Sequence, residues 1–109
     1  MKEIIVFITL LTAATLSATE LPADTKAKPA TVKIDNFSFT PQTLTVRVGT
    51  KVTWINKDDV PHTVRSNDKT LKSRVLDTDD QFSYTFTTPG TNSYFCSVHP
   101  HMTGKIIVQ

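Results

Sequence analysis

From Thr31 onward, hydrophobic residues alternate with polar ones. Val32 and Ile34 share one face of a strand, Phe37 and Phe39 do so again, and Leu44, Val46 and Val48 alternate with Thr45 and Arg47. Val52 and Trp54 follow a turn at Gly49, and residues 63–65 read as a short strand. Phe82, Tyr84 and Phe86 line one face of a further strand, and residues 92–96 and 105–108 complete the series. Period-two alternation of β-branched and aromatic residues marks half-buried strands, so these aromatics are expected to form the core. In Thr88-Pro89-Gly90-Thr91, proline and glycine occupy the central positions of a type II turn. Residues 66–80 are polar and poorly periodic. They read as a crossover between sheets, with at most a helical turn bringing Leu71, Val75 and Leu76 to one side. No longer helix and no repeat is signalled. Seven or eight short strands at this spacing predict an all-β, Greek-key β-sandwich.

The N-terminus follows a different pattern. Lys2 precedes an apolar run over residues 4–14 that is too short to span a bilayer, and Ser17, Ala18 and Thr19 are small enough for a cleavage site. Residues 1–18 therefore read as a secretory signal peptide, 19–30 as a flexible leader without periodicity, and 31–109 as one domain. The expected location is a periplasm. Twelve Lys+Arg against ten Asp+Glu give a net charge of +2, and without a basic cluster this does not indicate nucleic acid.

Export changes the meaning of the single cysteine. Exported cysteines normally pair, so a lone one is an intermolecular bridge, a reactive thiol or a metal ligand. Cys96 is followed three residues later by His99 and three after that by Met102, in Tyr94-Phe95-Cys96-Ser97-Val98-His99-Pro100-His101-Met102. Taken singly, a cysteine or a methionine usually packs in a core. Two histidines flanking a proline do not suit a central strand, however, and the spacing reads as strand, tight loop, strand. Thiolate, imidazole and thioether form the donor set that suits copper in both its oxidation states. His62, the only histidine outside this loop, can supply a second imidazole.

These segments carry a family resemblance. The series Phe37-Ser38-Phe39-Thr40-Pro41, Leu44-Thr45-Val46, Gly49, Val52-Thr53-Trp54-Ile55-Asn56, Pro61-His62, Tyr94-Phe95-Cys96, His99-Pro100, Met102 and Gly104 resembles the cupredoxins. Within them it is most similar to the amicyanin group of plastocyanin-like blue copper proteins. The resemblance covers nearly all of the chain from about residue 31 onward, and its most specific element is the short C-x-x-H-x-x-M loop.

By position, the resemblance implies one copper ion held by His62, Cys96, His99 and Met102. It implies that Asn56 hydrogen-bonds between the two ligand loops, the other reading of Asn56 being an ordinary turn residue. It also implies a partner-docking patch of Pro61, Val98, Pro100 and His101 around the exposed edge of His99. Val98 stands where a proline is usual and His101 where an aromatic is, which makes the patch more polar and sensitive to pH. His101 could instead replace His99 as a ligand or bind a second ion. The implied function is that of a monomeric, non-enzymatic carrier of single electrons, with an amine dehydrogenase as possible donor and a c-type cytochrome as possible acceptor. A copper-delivery protein with the same ligands is the alternative. Cys96 is flanked by Phe95 and Ser97 rather than by histidines, and there is no second thiolate. Both points weigh against a multicopper enzyme or a dinuclear centre.

Overall fold

The computed structural model describes residues 27–109, so the signal-peptide expectation and most of the leader lie outside the described residues. Seven strands form two sheets, and no helix occurs among the described residues. The strands are β1 (Ala30–Asp35), β2 (Ser38–Thr40), β3 (Thr43–Val46), β4 (Thr50–Asn56), β5 (Gln81–Phe86), β6 (Gly90–Phe95) and β7 (Thr103–Val108). One sheet runs β2-β1-β4-β5 and the other β3-β7-β6. β1 pairs in parallel with β4, and β3 with β7, while the remaining pairs are antiparallel. The expected β-sandwich is the observed fold.

Alternation explains which faces meet. Val32, Ile34, Phe39, Val52, Trp54, Phe86, Tyr94, Ile106 and Val108 are buried between the sheets. Each fully buried large side chain contributes about 1.5–3 kcal/mol over its exposed state. Trp54 sits at the centre, with the Tyr94 ring edge-on to it at a centroid distance of 5.3 Å. Tyr94 stands opposite Gly104 in the β6–β7 register. A Cβ at position 104 would lie 2.5 Å from Tyr94 Cζ and Oη, so only glycine gives the ring its seat. Burial pushes the Tyr94 hydroxyl up to about 12.

Several expectations are corrected. Val48 is exposed in the turn before Gly49. Residues 63–65 make isolated bridges, Arg65 to both Lys72 and Phe95, rather than a strand. In the crossover, Leu71 and Leu76 are buried but Val75 faces solvent. Gly90 has φ 143° and already opens β6, well past the roughly +80° of a type II turn.

The largest correction is Phe37, which is not in the core but 50% exposed. Asp35 and Ser38 are paired, so Asn36 and Phe37 form a two-residue hairpin turn, with φ 52° and 57°. Such a turn needs positive φ at both central positions. Asn tolerates this, whereas a bulky side chain resists it by about 1–2 kcal/mol. The strand ends explain why the turn matters. β1, β4 and β6 finish, and β5 and β7 begin, at one end of the sandwich, so the loops after Asp35, Asn56 and Phe95 meet there.

Candidate metal centre

The first ligand loop leaves β4 at Asn56. The Asn56 side chain organises it, Oδ1 accepting from the Asp58 amide at 2.9 Å and Nδ2 donating to the Val60 and Leu76 carbonyls at 2.9 and 2.8 Å. His62 and Leu76 then exchange backbone hydrogen bonds of 3.1 and 2.8 Å. The imidazole between these anchors is fully buried. Its Nε2 lies 2.8 Å from Asp58 Oδ2. An ionised carboxylate only accepts, so Nε2 carries a proton, and Nδ1 is the ring nitrogen turned toward Cys96 and left for a ligand. The same Asp58 oxygen accepts from the Phe37 amide at 3.0 Å. The Phe37 amide first, and His62 next, hold the Asp58 carboxyl below its usual range.

The second loop closes on itself. Cys96 N–H donates to Met102 O at 3.0 Å, His99 N–H to Cys96 O at 3.2 Å, and Met102 N–H to His99 O at 2.9 Å. Pro100, which has no N–H, falls where the loop needs no backbone donor. Cys96 Sγ is buried, 3.7 Å from His62 Nδ1 and 3.9 Å from His99 Nδ1. These three donor atoms all lie within 4.8 Å of one another, the only such group among the described residues. Met102, on the same loop, is buried as well.

Burial alone would push the Cys96 thiol up. The Thr63 amide, which donates to the sulfur at 3.4 Å, and the two imidazoles more than offset that and bring it down to about 6. A thiolate is therefore available near neutral pH, and the thiolate is the form that ligates.

The link between the two ligand loops is not Asn56, whose bonds stay within the His62 loop and the crossover. Thr63 makes it. Its Oγ1 accepts from the Ser97 amide at 2.8 Å and lies 2.8 Å from Ser97 Oγ, while its own amide bonds the sulfur. Thr63, Asp58 and Phe37 are the functional residues that sequence reasoning missed. Adjacency to His62 could have pointed to Thr63, and the four-residue offset to Asp58, although Asp59 offered a carboxylate nearly as close. Nothing in the alternation set Phe37 apart from Phe39.

The Phe37 ring lies edge-on to both imidazoles, with centroids 5.6 Å from His62 and 5.0 Å from His99. His99 is half-buried beneath it, while Pro61, Val98, Pro100 and His101 are exposed around it. His101 is not among the grouped donors.

Two imidazole Nδ1 atoms and a thiolate, with a buried methionine on the same loop, fit one copper ion. Hard divalent ions prefer oxygen donors, and zinc sites do not recruit thioethers. The sandwich and its donor set define a cupredoxin domain of the type 1 copper kind. The chain belongs to that family, since the family model for a cupredoxin-like domain matches residues 4–108.

Among similar proteins, the amicyanin of Paracoccus denitrificans is 36% identical over 83 residues, covering 72% of this chain and 63% of its own length. Amicyanin-alpha of Methylorubrum extorquens is 31% identical over 97 residues, covering 84% of this chain and 82% of its own. A purple cupredoxin from Nitrosopumilus maritimus superposes with a TM-score of 0.71 at 34% identity, covering 73% of this chain and 99% of that one. A similar solved structure is the Cu(I) form of an amicyanin variant, with a TM-score of 0.70 at 35% identity, and one copper ion suits His62, Cys96, His99 and Met102 here.

Proposed function

We propose that the chain is an exported carrier of single electrons, working as a monomer in a periplasm with one copper ion bound by His62, Cys96, His99 and Met102. The observation that carries this reading is the convergence of two Nδ1 atoms and one sulfur within 4.8 Å, on loops already closed by their own hydrogen bonds. Copper in this donor set changes between its two oxidation states. The chain's part is to keep the donors in one arrangement for both. Asp58 fixes the His62 tautomer, the Thr63 amide supports the thiolate, and the Cys96–Met102 and His99–Met102 bonds hold the short loop. Little then rearranges on electron arrival, which is what a fast carrier requires.

His99 and Phe37 at the exposed face form the port, with Pro61, Val98, Pro100 and His101 as the docking surface. Docking is weak and transient, as in redox encounters generally. The partners proposed are an amine dehydrogenase as donor and a c-type cytochrome as acceptor. Residues 1–18 act as the export signal and 19–30 as the leader. No helix of the described residues is long and apolar enough to cross a membrane.

The test is a Cu(II) titration of the purified protein followed by visible absorption, repeated with Cys96→Ser. An intense thiolate-to-copper band saturating at one equivalent, absent in the variant, is expected, with bleaching by a reductant and recovery by an oxidant. Tight binding without that band would replace this reading with copper delivery.

A further inference from the structure

The charges around the copper end are segregated, and resting on the electron-carrier reading, we infer that the face around Phe37 and His99 docks a redox protein whose own docking face is cationic. The centre of this face is apolar. Phe37 is 50% and Val98 51% exposed, with Pro61 and Pro100 beside them. One flank is acidic. Residues 27–109 contain seven aspartates and no glutamate, and six of these aspartates (Asp35, Asp58, Asp59, Asp77, Asp79 and Asp80) belong to the turns at this end.

Contacts tie the acidic flank to the apolar centre. Asp58 Oδ2 accepts from the Phe37 amide, Thr78 Oγ1 donates to Asp58 O at 2.7 Å, and Asp79 N–H donates to Asn56 O at 2.6 Å. The three cations on this flank are each engaged by one of its aspartates, Lys33 by Asp35, Lys57 by Asp79 and Arg74 by Asp80. That leaves Asp59 and Asp77 exposed, without a cationic partner among the described residues.

The opposite end has the other sign. Lys28, Arg47 and Lys51 lie where β1 and β4 begin and β3 ends, with no aspartate or glutamate there among the described residues. The other cations, Arg65, Lys69, Lys72 and Lys105, lie on the β6–β7 side. A chain of net charge +2 thus carries a negative field beside its redox port. Such a field steers a cationic surface onto the apolar centre and turns away an anionic one.

Net charge and local charge predict opposite salt dependences, which makes the test sharp. The reduced, copper-loaded full chain is oxidised in stopped flow by tris(phenanthroline)cobalt(III) and by hexacyanoferrate(III), at ionic strengths from about 10 mM to about 500 mM. We expect the rate with the cobalt cation to fall several-fold as salt rises. A rate that rises, as the overall positive charge requires, overturns the proposal. Asp59→Lys should flatten or reverse the slope while leaving the visible spectrum unchanged. Lys51→Glu, a charge change of the same size at the far end, should leave the slope in place. Shifts of equal size and opposite sign from the two variants would show that net charge governs, and would also overturn the proposal.

A second readout needs no electron transfer. Hexaamminechromium(III) added to the metal-free chain should broaden amide signals around residues 35–37, 58–59 and 77–80. Broadening elsewhere, with these segments silent, sinks the docking proposal whatever the copper chemistry. Absence of the blue band sinks the electron-carrier reading and leaves the broadening experiment to be judged separately.

Discussion

Replacing Thr63 by valine removes one oxygen and almost no volume, so it isolates the link between the ligand loops. Three contacts of Oγ1 disappear: the acceptor for Ser97 N–H at 2.8 Å, the 2.8 Å contact with Ser97 Oγ, and a long approach to Cys96 Sγ at 3.9 Å. The Thr63 amide still reaches the sulfur, because it is backbone. Ser97 is exposed, so its hydroxyl finds water and its loss counts for little. Its amide is aimed at the buried Thr63 side chain and loses a bond of about 1 kcal/mol, plus part of the desolvation penalty of about 1–3 kcal/mol for an unpaired donor. The sum is about 2 kcal/mol. For a domain of this size each kcal/mol moves Tm by about 4–8 °C, so a fall of about 10 °C is expected. Thermal unfolding of the metal-free protein measures it, with Thr63→Ser as the control that keeps the oxygen. The reasoning is refuted if Thr63→Val unfolds within about 2 °C of the parent, or if Thr63→Ser falls as far as Thr63→Val.

Three other outcomes follow from the same geometry. Asp58→Asn takes away the charged acceptor for His62 Nε2–H and the Phe37 amide, and copper retention against a chelator should weaken by about tenfold or more. Unchanged retention would mean that the backbone alone sets the imidazole. Gly104→Ala drives a Cβ to 2.5 Å from the Tyr94 ring, costing about 1–3 kcal/mol. Adding Tyr94→Leu should recover part of that loss in a denaturant titration, whereas Tyr94→Phe should not, since Cζ is contacted as closely as Oη. In the metal-free protein the Cys96 thiol sits at about 6 against an ordinary 9.0. A depressed folded-state value stabilises the fold fully above the ordinary value, and the gain disappears as pH falls through the lower one. Tm should therefore rise from about pH 5 to about pH 8 by an increment that Cys96→Ser lacks; parallel profiles would show that the thiolate is not stabilised by the fold.

The sequence made the strands legible wherever alternation matched burial. Val32, Ile34, Val52, Trp54 and Phe86 were placed by period two because each strand turns one face to water and the other to the shared core. Phe37 broke the rule for a local reason: a two-residue turn ends the alternation, and polarity alone cannot show where a strand stops. The grouped donors were also legible, because Cys96 and His99 sit on one short loop and His62 is the only distant histidine. The groups that hold the donors were less so. Asp58 and Thr63 act through loop geometry, which depends on Asn56 bonds reaching across 20 residues to Leu76. Asn56 was singled out as a bridge between the ligand loops, but its hydrogen bonds run to the His62 loop and the crossover rather than to the Cys96 loop.

That misplacement has a physical consequence. With Asn56 and Leu76 fixing the His62 loop from below, and Thr63 fixing the Cys96 loop from the side, the two histidine donors are restrained by different parts of the chain. His62 is restrained from both faces, by Asp58 at Nε2 and by backbone bonds on either side of its Cα. His99 has one backbone hydrogen bond in each direction within its own loop, and the Phe37 ring above it. Any give in the site therefore concentrates at His99, at the exposed face where a partner arrives. A turn that holds a phenylalanine at φ 57° spends about 1–2 kcal/mol to place a ring over that less restrained ligand. Such strain persists only where its surroundings fix it, and here the Asp58–Phe37 bond does so, coupling the turn to the buried imidazole as well as to the exposed one.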